Sequence, residues 1–342
     1  MTTEKENYLK VLRGEQPEWI PNYWDACAWG GPIIAETKTI PGTGNPDKKI
    51  MDLFYRVERN DRERFTDSLG VEYTQTIEGS IPTPGKVAVT DITKWKEQLI
   101  YPFPDLDKVD FKGQAEGYNS VVNRDEMAVA YMSGGLFMTL MNVMGVADAL
   151  CAMVEEPEAC HEFFKYYTDY EEDKLRRSFP YFKPDVVMIA DDVATVNDLF
   201  FSPQMYTEMM APYHRQLAEV VLELGAIAEM HCCGRCEVLI PQWIDMGFTV
   251  WQPAQPANDL KAIKAKYGNK IIFNGTWDTK GPGNVVGAPE DVVRQSVRDT
   301  IDYVAPTGPF VFWDGGPVGG DFEKFAWLGD EARKYGKSYY KK

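Results

Sequence analysis

The chain has 342 residues, 44 % of them hydrophobic, and 52 acidic against 36 basic side chains give a net charge of −16 at pH 7. That acidity argues against nucleic acid or an anionic membrane as partner, while the apolar content suffices for a large core. No apolar run nears the roughly 20 residues of a spanning helix, no signal-peptide core opens the chain, and six cysteines are too few for a disulfide scaffold, so a reduced, cytoplasmic, enzyme-like protein is expected.

In chain order, short apolar runs at 19–23, 128–132, 186–190, 226–230, 248–252, 270–273 and 310–313 predict strands. Segments of helical periodicity at 146–155, 157–178, 203–224, 238–245, 260–267 and 290–304 lie between them. Ser202-Pro203 reads as an N-cap followed by proline at the first helical position, and Glu290-Asp291 puts acids into a first turn. Such alternation implies parallel βαβ units. Seven strands, with one more concealed, fit a (β/α)8 TIM-type barrel better than an open sheet, because no Gly-rich phosphate turn is present.

Residues 30–125 keep this rhythm least well. They hold turn-rich pieces at 40–46 and 80–85, and a hairpin is expected between 77–81 and 86–89. They read as an irregular insertion covering one barrel mouth, within a single domain spanning 1–342.

Barrel sites are built at the C-terminal ends of the strands. Those positions carry Asp191-Asp192, then His231-Cys232-Cys233-Gly234, then Trp251-Gln252-Pro253, then Asn274-Gly275 and finally Asp314-Gly315-Gly316. Side chains alternate along a strand, so Glu229, His231 and Cys233 share a face, and carboxylate, imidazole and thiolate are the ligand types zinc takes. Asp191 and Asp192 are candidate catalytic acids or bases, although such a pair also suits a plain helix cap. Gln252 and Asn274 are candidates for orienting substrate. The Met-rich stretch 132–144, with Phe137 and Met138, is either a packed helix face or a soft pocket wall, and Trp24 and Trp29 would add rigid aromatic surface. His161 and His214 read as helix-face residues, and Cys27, Cys151 and Cys160 as core.

Taken together, Asp191-Asp192, Ser202-Pro-x-Met-Tyr206, Pro212-Tyr-His214, His231-x-Cys-Gly234, Gln255-Pro-x-x-Asp-Leu260 and Gly275-Thr-Trp-Asp278 resemble the uroporphyrinogen decarboxylase superfamily over roughly 125–340. The resemblance implies a (β/α)8 barrel. The decarboxylases themselves resemble one another in an Arg-rich N-terminal segment, and here the equivalent stretch has no arginine between Arg13 and Arg56. The other branch, the corrinoid-dependent methyltransferases, binds zinc through His-x-Cys and a later cysteine. His231 and Cys233 match the first two, but no cysteine follows Cys236. Asp314, by its strand-end position, is the first candidate for the third ligand, and Glu229, by alternation, the second.

Exchanging a thiolate for a carboxylate leaves more positive charge on zinc and makes it a stronger Lewis acid. The resemblance then implies transfer of a methyl group from an O-methyl donor, a methoxylated aromatic first, to Co(I) of a corrinoid. The corrinoid would sit on a partner protein, since the chain has no D-x-H-x-x-G sequence. A thiol-directed methyltransferase using methylcobalamin is one alternative. A metal-free decarboxylase or lyase, with Asp191 or Asp192 in acid–base work, is another. For the N-terminal third, a homodimer interface and a lid both stay open.

Overall fold

The computed structural model describes residues 2–32, 58–59, 64–66, 69–76, 79–99, 103, 105–315 and 321–341. The chain starts with a helix, Glu4–Leu12, held by a capping box in which Thr3 and Glu6 each bond the other's backbone N–H. Strand β1 (Cys27–Trp29) follows, then a four-stranded antiparallel group of β2 (Glu58–Arg59), β3 (Arg64–Thr66), β4 (Glu72–Thr76) and β5 (Gly79–Pro82). The rest alternates helices with β6 (Ala128–Ser133), β7 (Val186–Ala190), β8 (Ile227–His231), β9 (Val250–Gln252), β10 (Ile272–Thr276) and β11 (Phe310–Trp313).

β1 and β6 to β11 form one parallel seven-stranded sheet in sequence order. The sheet curls, so that Asn22, ahead of β1, makes a parallel bridge to Phe312 of β11. The Phe312 N–H donates to the Pro21 carbonyl at 2.9 Å. The predicted first strand, 19–23, is reduced to this one bridge. Pro21 has no N–H to give a ladder, and a helical turn, Tyr23–Ala26, begins directly after it. No eighth full strand of this sheet forms among the described residues.

Alternation sorts the side chains by face. Cys27, Ala128, Ala130, Val186, Val250, Ile272 and Val311 pack inside the curl with Tyr8, Val11 and Leu12 of the first helix. Most of these stand at the first residue of their strands, so that helix plugs the end opposite the site. Tyr131, Val187, Ile189, Ala228, Met230, Trp251, Phe273 and Phe312 point outward into the helices.

Three expectations are corrected. The helix expected over 203–224 divides into Pro203–Met209 and Ala211–Glu223, because Pro212 cannot donate back to the preceding turn. The hairpin forms between β4 and β5, whereas Ala88 and Val89 donate their N–H groups to the Val143 carbonyl at 2.9 and 2.8 Å. Of the cysteines, all six free, Cys27 and Cys160 are buried but Cys151 is exposed. The turn-rich piece 40–46 lies outside the described residues. No single described helix is long and apolar enough to cross a membrane.

Candidate metal centre

The inward-facing parity that buries Val250 and Val311 brings a different set of residues to the open end: Trp29, Met132, His231, Gln252 and Trp313. His231 is the last residue of β8, paired in register with Ala190 of β7 and Gln252 of β9. Two residues on from each of His231 and Ala190, the same parity presents Cys233 and Asp192. The His231 Nε2 stands 3.8 Å from the Cys233 Sγ and 3.8 Å from the Asp192 Oδ1. Asp192, His231 and Cys233 are the one potential metal-holding cluster among the described residues, with ligand atoms all within 4.8 Å of one another.

The donor set fits zinc. Imidazole, thiolate and carboxylate donors around tetrahedral zinc stand about 3.4–3.6 Å apart, so contraction by a few tenths of an ångström closes the site. The far ring nitrogen is already engaged: His231 Nδ1 is 2.9 Å from the Gln252 Oε1. The oxygen accepts the Nδ1 proton, which leaves the Nε2 lone pair facing Asp192 and Cys233. Gln252 is fully buried and orients the His231 ring. Burial, and then the Asp192 carboxylate beside it, hold the Cys233 thiol well above its usual range. A cation arriving there would reverse that balance and release the thiol proton.

A tight loop carries Cys233. Its N–H donates to Asp192 Oδ1 at 2.6 Å. Gly234 has φ +88, and its N–H donates to Gln255 Oε1 at 2.7 Å. Arg235 N–H donates to the Thr195 carbonyl at 2.7 Å. Asn258 completes the clamp: its Oδ1 accepts from the N–H groups of Cys236 and Glu237, both at 3.0 Å, and its Nδ2 donates to the Gly234 carbonyl at 2.9 Å. Sequence reasoning misses Thr195 and Asn258 as loop holders. The available signal is that Asp259, not Asn258, caps the next helix, leaving the Asn258 amide unassigned. Cys232 and Cys236 are buried in the outer core beneath the loop.

The remaining candidates are distributed differently from the expectation. The carboxylate at the His231–Cys233 pair is that of Asp192, and neither Asp314 nor Glu229 joins the cluster. Asp314 accepts the Trp24 indole N–H at 3.2 Å. Asp191 faces the helices, fully buried. Asn274 is buried too and donates to Glu229 Oε1 at 2.7 Å, away from the mouth. Phe137 packs outward, its ring 5.6 and 5.0 Å from those of Phe200 and Phe201. Met138 meets Asp191 through its backbone N–H. Trp24 and Trp29 do stand at the inner face: the Trp24 ring is 6.3 Å from Trp313, which lies 6.5 Å from His231. Trp313, absent from the expected wall, joins them because it shares the parity of Val311.

Glu229 supplies a test of this partition. Burial pushes its carboxyl up to about 7, and the Asn274 bond only partly offsets this. Its second oxygen has no hydrogen-bond partner. The folded value lies above the unfolded one, so ionisation opposes folding: stability falls as pH rises from 4.5 through about 7, and the penalty is complete above that. Glu229→Gln in chelated protein is expected to gain stability over the parent, by at most about 3 kcal/mol at pH 8, with the difference shrinking towards pH 5. Denaturant unfolding at the two pH values measures it, and zinc content should not change.

The fold has a known counterpart. A solved structure described as a methyltransferase from Methanosarcina mazei is similar, with 13 % identity and a TM-score of 0.62 over 98 % of this chain and 99 % of that one. The chain has no match among curated proteins. The family model described as uroporphyrinogen decarboxylase (URO-D) matches residues 88–323, which is more than half of the sequence and spans the metal cluster, its loop and the strands that carry both. On that match the chain belongs to the uroporphyrinogen decarboxylase (URO-D) family.

Proposed function

We propose that the protein is a zinc-dependent methyltransferase that moves the methyl group of an O-methyl donor, a methoxylated aromatic, to the Co(I) of a corrinoid carried by a partner protein. The observation that carries this reading is the convergence of Asp192, His231 and Cys233 at the open end of the sheet. One thiolate in place of two makes the centre harder and more oxygen-seeking. Zinc, when held there, supplies Lewis acidity that stabilises the negative charge developing on a departing oxygen.

The chain's own residues do the rest. Gln252 keeps the His231 ring turned to the cluster, and Asp192 and Cys233 supply the anionic donors. Trp24, Trp29, Trp313 and the exposed Met132 offer the flat, polarizable wall that an aromatic ether needs beside a metal. The activity named for the Methanosarcina mazei protein agrees with methyl transfer. In this reading the seven strands and the bridged stretch at Asn22 serve as a (β/α)8 barrel in one domain.

The test is direct. Zinc-loaded protein mixed with free cob(I)alamin and a panel of methoxybenzenes should form methylcobalamin, followed by absorbance, and Cys233→Ala should form none. Failure of the zinc-loaded parent with every methoxybenzene would sink the reading.

A further inference from the structure

Behind the metal cluster, on the outward face of the end of β7, a hydrogen-bond chain runs through four fully buried side chains: Trp243, Tyr206, His214 and Asp191. The Trp243 Nε1–H donates to the Tyr206 hydroxyl at 2.9 Å. Tyr206 Oη is 2.9 Å from the His214 Nδ1, and His214 Nε2 is 2.9 Å from the Asp191 Oδ2. Asp191 also accepts the backbone N–H groups of Phe137 and Met138, at 3.1 and 3.0 Å, at the start of the helix Leu136–Met144.

The direction of this chain follows from its first member. An indole nitrogen can only donate, so the Tyr206 oxygen accepts from it and the single Tyr206 proton goes to the His214 Nδ1. His214 is then neutral with its proton on Nε2, which donates to Asp191. Every donor is used, and the Asp191 carboxylate receives three N–H groups, two of them from a helix N-terminus that favours negative charge. A doubly protonated His214 would leave the Tyr206 proton without an acceptor in a dry site.

Asp191 is also tied from the other side: its own N–H donates to the His231 carbonyl at 2.9 Å. The residue thus stands between the helices and the metal-bearing strand, and the next residue in the chain is Asp192.

We propose that Asp191, with His214 and Tyr206 behind it, is a positioning device for the metal centre, holding the end of β7 so that Asp192 stands opposite His231 and Cys233. This rests on the reading of Asp192, His231 and Cys233 as the metal site. None of the three positioning residues touches substrate or metal. Their effect runs through the placement of one carboxylate, as outer-shell partners act at other metal sites.

The test uses the full-length variants His214→Phe and Tyr206→Phe, the second removing one hydroxyl in case the first does not fold. Two quantities are read: the affinity and visible spectrum of Co²⁺, and amide exchange in chelated protein at Cys233, whose N–H reports where Asp192 Oδ1 stands. Co²⁺ should bind the variants roughly 10–100-fold more weakly, with a changed spectrum. The Cys233 amide should exchange faster while the Met188 amide in the same β7 does not. Unchanged Co²⁺ binding and unchanged Cys233 exchange in both variants would overturn the proposal. So would weaker Co²⁺ binding with Cys233 unchanged, since the loss would then not run through Asp192. A parent protein that binds no Co²⁺, while its variants still release the Cys233 amide, would overturn the metal reading and leave the positioning role standing.

Discussion

Asp192→Asn is expected to empty the metal centre. Protein purified without added metal should carry about one zinc per chain, and the variant next to none, because a neutral amide replaces one of three chain donors. The loss of affinity should exceed the roughly 10–100-fold that removal of an outer-shell partner costs. His231→Ala and Cys233→Ala should behave alike, with far-ultraviolet circular dichroism intact, since all three groups sit at the open end and not in the core. Asp314→Asn and Glu229→Gln are the counterparts that decide the ligand set. Both should keep their zinc, because Asp314 is spent on the Trp24 indole and Glu229 lies deeper, on Asn274. Elemental analysis of the five variants side by side measures this, and zinc lost from Asp314→Asn but kept in Asp192→Asn would reverse the assignment.

The second large effect is expected at Gly234→Ala. Gly234 has φ +88, and a Cβ there would stand 2.4 Å from the Thr195 carbonyl oxygen. That oxygen cannot simply retreat, because it also accepts the Arg235 N–H at 2.7 Å. The left-handed conformation alone costs an L-residue about 1–2 kcal/mol, and the collision adds to it. The loop must move, taking Cys233 off the cluster, so zinc binding should fall with the melting temperature. Gly225→Ala separates the two contributions. It has φ +84 but open space where its Cβ would stand, so it carries the conformational cost without the collision. Thermal unfolding and zinc content of the pair give the difference. Equal effects would mean that the approach to Thr195 does not hold the loop.

Several features of the fold are legible in the sequence because they depend on near neighbours. Strands at 186–190 and 310–313 and helices at 146–155, 260–267 and 290–304 appear with the expected bounds, each marked by a clean apolar period and a clear start or stop. The failures fall where a local signal has two uses. The run 19–23 suits a strand by its apolar residues, yet the missing Pro21 N–H and the following helical turn limit it to one bridge. The apolar stretch around Phe137 suits a pocket wall, but a helix can turn that ring to either side, and packing on Phe200 and Phe201 turns it outward. His214 reads as one more helix-face residue, because nothing near it in the chain shows that Asp191 and Tyr206 close around it.

By itself the sequence determined the alternating α/β plan, the strand ends where polar side chains gather, and the pairing of His231 with Cys233. All of these follow from spacing along a single segment, since side chains two apart on an extended chain face the same way. Only the tertiary structure decided which carboxylate completes the set. Along the chain Asp314 stands first by strand-end position, Glu229 second by alternation, and Asp192 reads only as an acid–base candidate, but contact between strands depends on register and on the curl of the sheet. Pairing His231 with Ala190 places Asp192 beside it, while the same curl turns Asp314 to Trp24 and leaves Glu229 a layer below. Register is a sum of long-range pairings, and no window along the sequence contains it.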